Sequence, residues 1–253
     1  MSVMCIVQAR MGSSRLPGKV LAEIVPGETV LERVVTRLRR AASVDHIVVA
    51  STVEIEDDAI AAACVEYDVA CFRGSTFDVL DRFVQAAGTV PDADVIVRVT
   101  ADCPFVDPAL VDELVSELRQ GSFDYVSNRL PPPHSRTFPV GLDVEVCTRE
   151  SLETAWREAT QAHQREHVTP FLYEQENAFR LKIVDLVRDL SHHRWTLDTP
   201  EDLAVVRALA EAVGSEPFGW EEILEATRKD PSIERANQGQ SQKNVTDVDY
   251  RRE

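Results

Sequence analysis

The chain has 253 residues, 44% of them apolar, and carries 27 Lys and Arg against 43 Asp and Glu, a formal charge of −16. That length and apolar share suit one large α/β domain with insertions and argue against global disorder. So acidic a balance excludes a surface that grips nucleic acid or an anionic bilayer as a whole, and any anionic ligand has to be met by a local basic patch. No apolar run approaches the ~20 residues of a membrane span, and the start lacks the basic region and long apolar core of a secretory signal, so the cytoplasm is the expected compartment. Five widely spaced cysteines (Cys5, Cys64, Cys71, Cys103, Cys147) form no CxxC pair and are expected as reduced, packed thiols.

In chain order, apolar runs of strand length at Met4–Val7, Ile47–Ala50, Val69–Phe72 and Val95–Val99 alternate with segments of helical spacing. The helical segments carry Val30, Leu31, Val34, Val35 and Leu38, then Ile60, Ala61 and Cys64, then Val79, Leu80, Phe83 and Val84. Strands apolar on both faces, alternating with helices, predict a Rossmann-like, mostly parallel sheet covered by helices on both sides over residues 1–128. A helix is predicted over Pro108–Arg119, with Asp107 as cap and Pro108 in the first turn. Leu130-Pro-Pro-Pro-His134 fits neither helix nor central strand and leads into Gly141–Cys147, whose alternation suits a half-buried strand. Residues 129–190 are therefore expected as a lid-like insertion for acceptor binding or dimerisation, with 191–229 returning to the core. Arg194–Leu197 reads as one more short strand, and Thr199 as the cap of a helix that starts at Pro200. From residue 230 the composition turns polar, which predicts a tail over 230–253, either frayed or ordered against a partner.

The first twenty-two residues contain Arg10, Arg15 and Lys19 and no Asp or Glu. These cations sit in Gln8-Ala-Arg-Met-Gly-Ser-Ser-Arg-Leu-Pro-Gly-Lys19, directly after the first strand, and so at the carboxyl edge of a parallel sheet, where open α/β folds bind ligands. Gly12, Ser13 and Ser14 let backbone amides approach an anion, while the Arg and Lys side chains supply charge and forked donors. A polyphosphate suits this loop best; a mobile basic loop on an acidic surface is the plainer alternative. Lys19 is followed by Val20, so GxxxxGK[ST] is not satisfied, and no GxGxxG follows the strand, which argues against a P-loop ATPase or a nicotinamide dehydrogenase. Asp102 and Asp198 each follow a predicted strand, and two carboxylates meeting at one point are what Mg²⁺ requires.

The opening run resembles the ARxxSxRxPxK signature of the CMP-sugar synthetases, and in particular of the SpsF-like cytidylyltransferases. The resemblance continues through Phe72–Phe83, Arg98–Pro104, Gly141–Glu145, Arg165–Pro170 and Leu197–Asp202. It implies the nucleotide-diphospho-sugar transferase (GT-A-like) fold and transfer of CMP from CTP to a sugar acid or related acidic acceptor, with pyrophosphate leaving. By motif, Arg10, Arg15 and Lys19 act on the phosphates, and Gln8, Ala9, Gly12, Ser13, Arg73, Gly74, Ser75 and Thr100 complete the nucleotide site. Asp102 and Asp198 hold Mg²⁺, and Asp81, Arg82, Asp143, Glu145, Glu166 and His167 face the acceptor. Arg136, Arg165 or His167 is expected to meet the acceptor's anionic group. The partners implied are CTP and the acidic small molecule, with no nucleic acid and no membrane, and there is room for a homodimer. One departure is Thr100-Ala101-Asp102 where the sugar-acid synthetases carry a Gln-Gly-Asp-like run, which loosens the choice of cytosine. Two other functions compete: a glycosyltransferase using a nucleotide sugar, and a silent nucleotide-binding subunit. His163-Gln-Arg-Glu-His167 also matches HxxEH, the pattern of a zinc peptidase.

Overall fold

The computed structural model of the chain describes residues 2–131, 134–175, 178–214 and 217–240. β1 (Ser2–Gln8) shows why the sheet forms where it does. Its uninterrupted apolar run sends Val3, Cys5 and Val7 into one core layer and Met4 and Ile6 into the other, the two-residue period of a strand buried on both faces. There follow β2 (Glu23–Val25), β3 (Glu28–Thr29), α1 (Val30–Leu38), β4 (His46–Thr52), α2 (Asp58–Glu66), β5 (Ala70–Gly74), α3 (Val79–Ala87), β6 (Ala93–Thr100), α4 (Pro108–Gly121) and β7 (Tyr125–Ser127). The second half adds β8 (Glu145–Thr148), α5 (Arg149–Glu158), α6 (Ala162–His167), α7 (Pro170–Glu174), β9 (Leu181–Ile183), α8 (Pro200–Val213) and α9 (Trp220–Lys229). Helix starts follow their sequence signals: Thr29, Asp78, Asp107 and Thr199 each accept a hydrogen bond from a backbone amide in the first turn of α1, α3, α4 and α8.

The main sheet has the strand order β5-β4-β1-β6-β8-β7-β9, and β2 and β3 form a separate hairpin. β5, β4, β1 and β6 run parallel, β8 lies antiparallel between β6 and β7, and β9 is parallel to β7. One core layer packs α1, α2, α4, α8 and α9 on the sheet, the other α3, α5 and α7. The doubly wound, mostly parallel architecture expected from the sequence is therefore present. Among the described residues no helix is long and apolar enough to cross a membrane.

Three local expectations differ from the structure. Residues 129–190 are more than a lid, because β8 and β9 are strands of the main sheet; the sequence alternation of the β8 run is that of a strand whose polar positions face buried partners rather than solvent. Arg194–Leu197 is not a strand: it makes a single parallel bridge, Val140 to Arg194, before Leu197 N turns to the carbonyl of Asp102 at 2.8 Å. That close crossing explains Gly141, whose φ is +106° and whose missing Cβ would sit 2.6 Å from Thr196 N. Finally, Ile233–Asn237 is a helical turn packed on the core rather than part of a frayed tail. Asn237 is buried and donates to Asp202 Oδ1 (2.9 Å), and Glu234 accepts from Trp195 Nε1 (2.8 Å). Its cover is the chain itself, and residues 241–253 lie outside the described residues.

Candidate active site

The loop after β1 is built to hold a fixed shape. Met11 O accepts from the amides of Ser13 and Gly18, both at 2.9 Å, and Gly18 takes φ +72°, turning the chain into a short 3-10 turn at Lys19–Leu21. Asp57, a residue the sequence reading did not single out, anchors the loop from the β4 side. It accepts from Met11 N (2.7 Å) and Thr52 N (3.1 Å) and from the Thr52 hydroxyl, and it is buried. Its only sequence signal is an acid in the strand-end loop after β4.

Lys19 then reaches both expected metal carboxylates. Its Nζ donates to Asp102 Oδ2 at 2.6 Å and to Asp198 Oδ1 at 2.8 Å. Asp102 follows the carboxyl end of β6 and Asp198 precedes α8, 96 positions apart in sequence by number yet on one ammonium. Asp198 Oδ2 also accepts from Arg15 (3.0 Å) and Arg194 (3.1 Å). Burial alone would lower the Lys19 pKa, but the charges and hydrogen bonds of Asp102 and Asp198 outweigh it and the net shift is upward. Burial alone would raise the Asp102 pKa; the charge and bond of Lys19 outweigh it and hold that carboxyl below its ordinary value.

Behind Asp198 stands a second acid missed at the sequence level. Asp202, fully buried, accepts Arg194 Nε and Nη2 at 2.9 Å each, and also the amides of Asp198 (3.0 Å) and Thr199 (3.1 Å). It is both the N3 partner of the α8 capping box and the brace that orients Asp198. The Leu197–Asp202 motif contains it, without a role of its own.

A cavity of about 190 Å³ opens among these groups, lined by Gln8, Arg10, Ser13, Arg15, Lys19, Thr100, Asp102, Asp198, Glu166 and His167. Ten expected site residues thus share one wall, and Ser14, Val20 and Val79 complete it. Gly12 lies in an adjoining cleft with Arg10, and Ala9 is buried behind the loop with its amide on the carbonyl of Ala50.

Other expected residues are engaged in holding the scaffold. Arg73 donates to the carbonyls of Thr52 (2.8 Å) and Glu54 (2.8 Å) and to Asp58 (2.5 Å). Ser75 caps the turn before α3 by accepting from Asp78 N (3.0 Å), and Gly74 leaves room for Phe72 and Arg82, which a Cβ would approach to 2.9 and 3.0 Å. Arg82 is fully buried and donates Nη1 to the Ser75 carbonyl (2.8 Å), while its Nε and Nη2 have no partner among the described residues; burial, with Arg10 nearby, lowers its pKa to about 10. Asp81 accepts from Trp156 Nε1 at 2.8 Å.

On the β8 side, Asp143 is clamped by Arg136, with contacts of 2.5 and 2.8 Å. Glu145 is buried and accepts from Arg98, from Tyr125 OH (2.8 Å) and from Thr169 Oγ1 (2.5 Å). Burial would raise the Glu145 pKa, yet Arg98 and these donors keep it low. Val168, between His167 and Thr169, takes φ +73° and ψ −56°, and Thr169 N bonds His167 O at 2.9 Å, a three-residue turn rarely adopted by a β-branched residue. It presents His167 to the cavity while returning Thr169 to Glu145. The pKa of the His167 imidazole is pushed down to about 4 by burial and by the Arg98 charge, and its buried Nε2 has no partner among the described residues.

The zinc pattern is not assembled: His163 Nε2 meets Glu174 at 2.8 Å, and among the described residues no group of three or more His, Cys, Asp or Glu side chains could hold a metal. Mg²⁺ asks for less, since it is held by one or two carboxylates together with phosphate and water oxygens. Two carboxylates that already converge on one cationic centre fit that demand.

Comparison with known proteins agrees with this architecture. A family model described as cytidylyltransferase matches residues 4–229. The chain is similar to a solved cytidylyltransferase from Leptospira borgpetersenii, with 32% identity and a TM-score of 0.86, covering 96% of this chain and 100% of that one. It is 34% identical over 224 residues to the spore coat polysaccharide biosynthesis protein SpsF of Bacillus subtilis, covering 85% of this chain and 89% of the relative. It is also 28% identical over 248 residues to a 3-deoxy-manno-octulosonate cytidylyltransferase of an Anaeromyxobacter species, covering 83% and 97%. On the strength of a family match that spans nearly all of the folded core, and of the SpsF-like motifs it contains, this chain belongs to the cytidylyltransferase family.

Proposed function

We propose that this chain transfers CMP from CTP to a sugar acid or related acidic small molecule and releases pyrophosphate. The observation that carries the reading is the cavity at the carboxyl edge of the sheet, in which a basic loop faces a pair of convergent carboxylates. Similarity to SpsF and to a 3-deoxy-manno-octulosonate cytidylyltransferase supports the choice of CMP and of an acidic acceptor.

The chemistry needs no protein nucleophile, because an acceptor oxygen attacks the α-phosphorus in line. Arg10, Arg15 and Lys19 line the cavity and offset charge on the phosphates and on the leaving pyrophosphate. Asp102 and Asp198 are the residues that would hold Mg²⁺, and the ion, once bound, supplies Lewis-acid stabilisation to phosphate oxygens. Ser13 and the amides of the loop add neutral donors, and Gln8 and Thr100 line the nucleotide side. The unpartnered Nε2 of a neutral His167 faces the acceptor end, where it can hydrogen-bond a hydroxyl without adding charge. The reaction is placed in the cytoplasm, and a homodimer is compatible with it. Pyrophosphate release measured with each NTP against sugar acids, sugar phosphates and phosphonates tests the reading. Release with CTP and an acid is expected; consumption of a nucleotide sugar without pyrophosphate, or nucleotide binding without turnover, would replace it by a glycosyltransferase or a silent subunit.

A further inference from the structure

The two arginines that the motifs suggest for the acceptor's anionic group are already committed to partners within the chain. Arg136 spends its fork on both oxygens of Asp143, and Arg165 spends its own on Asp78 (Nε 3.0 Å, Nη2 2.5 Å) and on the carbonyl of Trp156 (2.6 Å). Arg98 is held by Glu145 and by Gln8 Oε1 at 3.0 Å. Arg129 differs. Its guanidinium makes no hydrogen bond or ion pair among the described residues, although it is only half exposed.

Its position follows from the sheet. β7 runs in the same direction as β6, so Arg129, two residues past the end of β7, emerges at the carboxyl edge that also bears Asp102. Register places Ser127 beside Glu145 and Glu145 beside Arg98 in adjacent strands. The backbone of Arg129 is fixed there by Ser127, whose hydroxyl accepts from Arg129 N (3.1 Å) and donates to Arg129 O (2.8 Å). From that anchor its charge acts on Asp143, Glu145, His167 and Tyr173.

Charge counting then names the ligand. Asp143 is neutralised by Arg136, and Glu145 by Arg98 with help from Tyr125 and Thr169. Arg129 has no ion-pair partner among the described residues, and its charge bears on His167, which lines the nucleotide cavity and whose buried Nε2 has no partner among those residues. We infer that Arg129 is the specificity-determining residue that binds the acceptor's carboxylate, with His167 taking a neighbouring oxygen. A planar carboxylate matches the guanidinium fork and cancels a single charge, whereas a phosphate dianion would leave an excess negative charge beside Glu145. This inference rests on the proposed CMP transfer.

The test uses the full chain, wild type and Arg129→Gln, with Arg129→Lys as the charge-conserving variant. The probes are 3-deoxy-manno-octulosonate as the carboxylate and glucose 1-phosphate as the phosphate, each titrated calorimetrically in the presence of CTP and followed by pyrophosphate release. Wild type is expected to bind the carboxylate in preference to the phosphate. Arg129→Gln is expected to weaken carboxylate binding and raise its KM by about tenfold to a hundredfold, the scale of lost charge-assisted hydrogen bonds, with kcat, CTP affinity and melting temperature little changed. Arg129→Lys should restore part of the loss. Undiminished carboxylate binding in Arg129→Gln, no carboxylate binding by wild type, or a preference for the phosphate would each overturn the inference. Failure of wild type to bind CTP would instead overturn the proposed function.

Discussion

Replacing Lys19 by Met removes one charge while keeping the length of the side chain, and the structure sets the consequences. Lys19 Nζ lies 2.6 Å from Asp102 and 2.8 Å from Asp198, with side-chain exposures of 11%, 24% and 18% for the three groups. Asp198 keeps Arg15 and Arg194, but Asp102 loses its cation. Breaking a fully buried pair costs about 3–5 kcal/mol; partial exposure and the option of protonating Asp102 reduce this to about 1–3 kcal/mol. For a chain of this length each kcal/mol lowers Tm by about 2–4 °C. The pH dependence has a definite sign. The depressed Asp102 pKa contributes stability that is present above the unfolded carboxylate value and is lost as pH falls through the folded value. The raised Lys19 pKa contributes stability that is present below the unfolded value and is lost as pH rises through the folded value. In Lys19→Met the Lys19 dependence should vanish, and burial, no longer outweighed by the ammonium, should raise the Asp102 pKa and reverse the sign of its dependence. Transition-state stabilisation should fall by about 2–4 kcal/mol, which is roughly 30- to 1000-fold in turnover. Because the ammonium sits where the two carboxylates converge, the variant should also bind Mn²⁺ more tightly than wild type in the absence of nucleotide, read by metal titration. Thermal unfolding across pH and pyrophosphate release are the assays. Turnover within about threefold of wild type would refute the reasoning for this loop.

Asp102→Asn and Asp198→Asn should each weaken Mg²⁺-dependent turnover while leaving the fold intact, and normal activity of both at limiting Mg²⁺ would remove the two-carboxylate site. Asp202→Ala should cost about 3–5 kcal/mol, because the buried Arg194 guanidinium loses both Asp202 bonds and keeps only its single Nη2 contact with Asp198; a loss under about 1 kcal/mol in chemical denaturation would contradict that. His167→Ala should impair acceptor use more than CTP binding measured by calorimetry, and equal losses would place the acceptor elsewhere. Since the folded pKa of His167 is lowered to about 4, its neutral form persists through the neutral range. The acceptor KM should therefore show no histidine titration between about pH 5 and 8, and stability should decline as pH falls below the unfolded histidine value. Zinc-selective chelation should leave activity unchanged; loss restored by Zn²⁺ would revive the HxxEH pattern.

Much of the first half of the fold was legible because its signals are local. β1, β4 and β6 are apolar on both faces, α1 and α3 carry apolar stripes, and Asp107 and Thr199 cap the helices that follow them. The second half was harder to read. β8 carries Glu145 into the sheet interior, and no local pattern announces that Arg98, Tyr125 and Thr169 will neutralise and satisfy it. Arg194–Leu197 has the composition of a strand, but the chain crosses Gly141 and then bonds Asp102, so only one bridge forms.

The sequence by itself determined the chemistry available: an all-basic opening loop in an acidic chain, two strand-end aspartates, and motifs similar to those of the cytidylyltransferases. Residue type and spacing suffice for that, because charge, glycine freedom and strand ends are local properties. Which cations remain free to meet a ligand was decided only by tertiary structure. Arg136, Arg165 and Arg129 are equivalent as letters, yet the first two find carboxylates at Asp143 and Asp78 while Arg129 finds none among the described residues. Pairing depends on which strands become neighbours, and β8 enters between β6 and β7 from a distant part of the chain. The same crossing of distant segments brings Asp198 to Lys19 and sets Asp202 behind it, contacts fixed by where the chain returns after β9 rather than by any spacing along it.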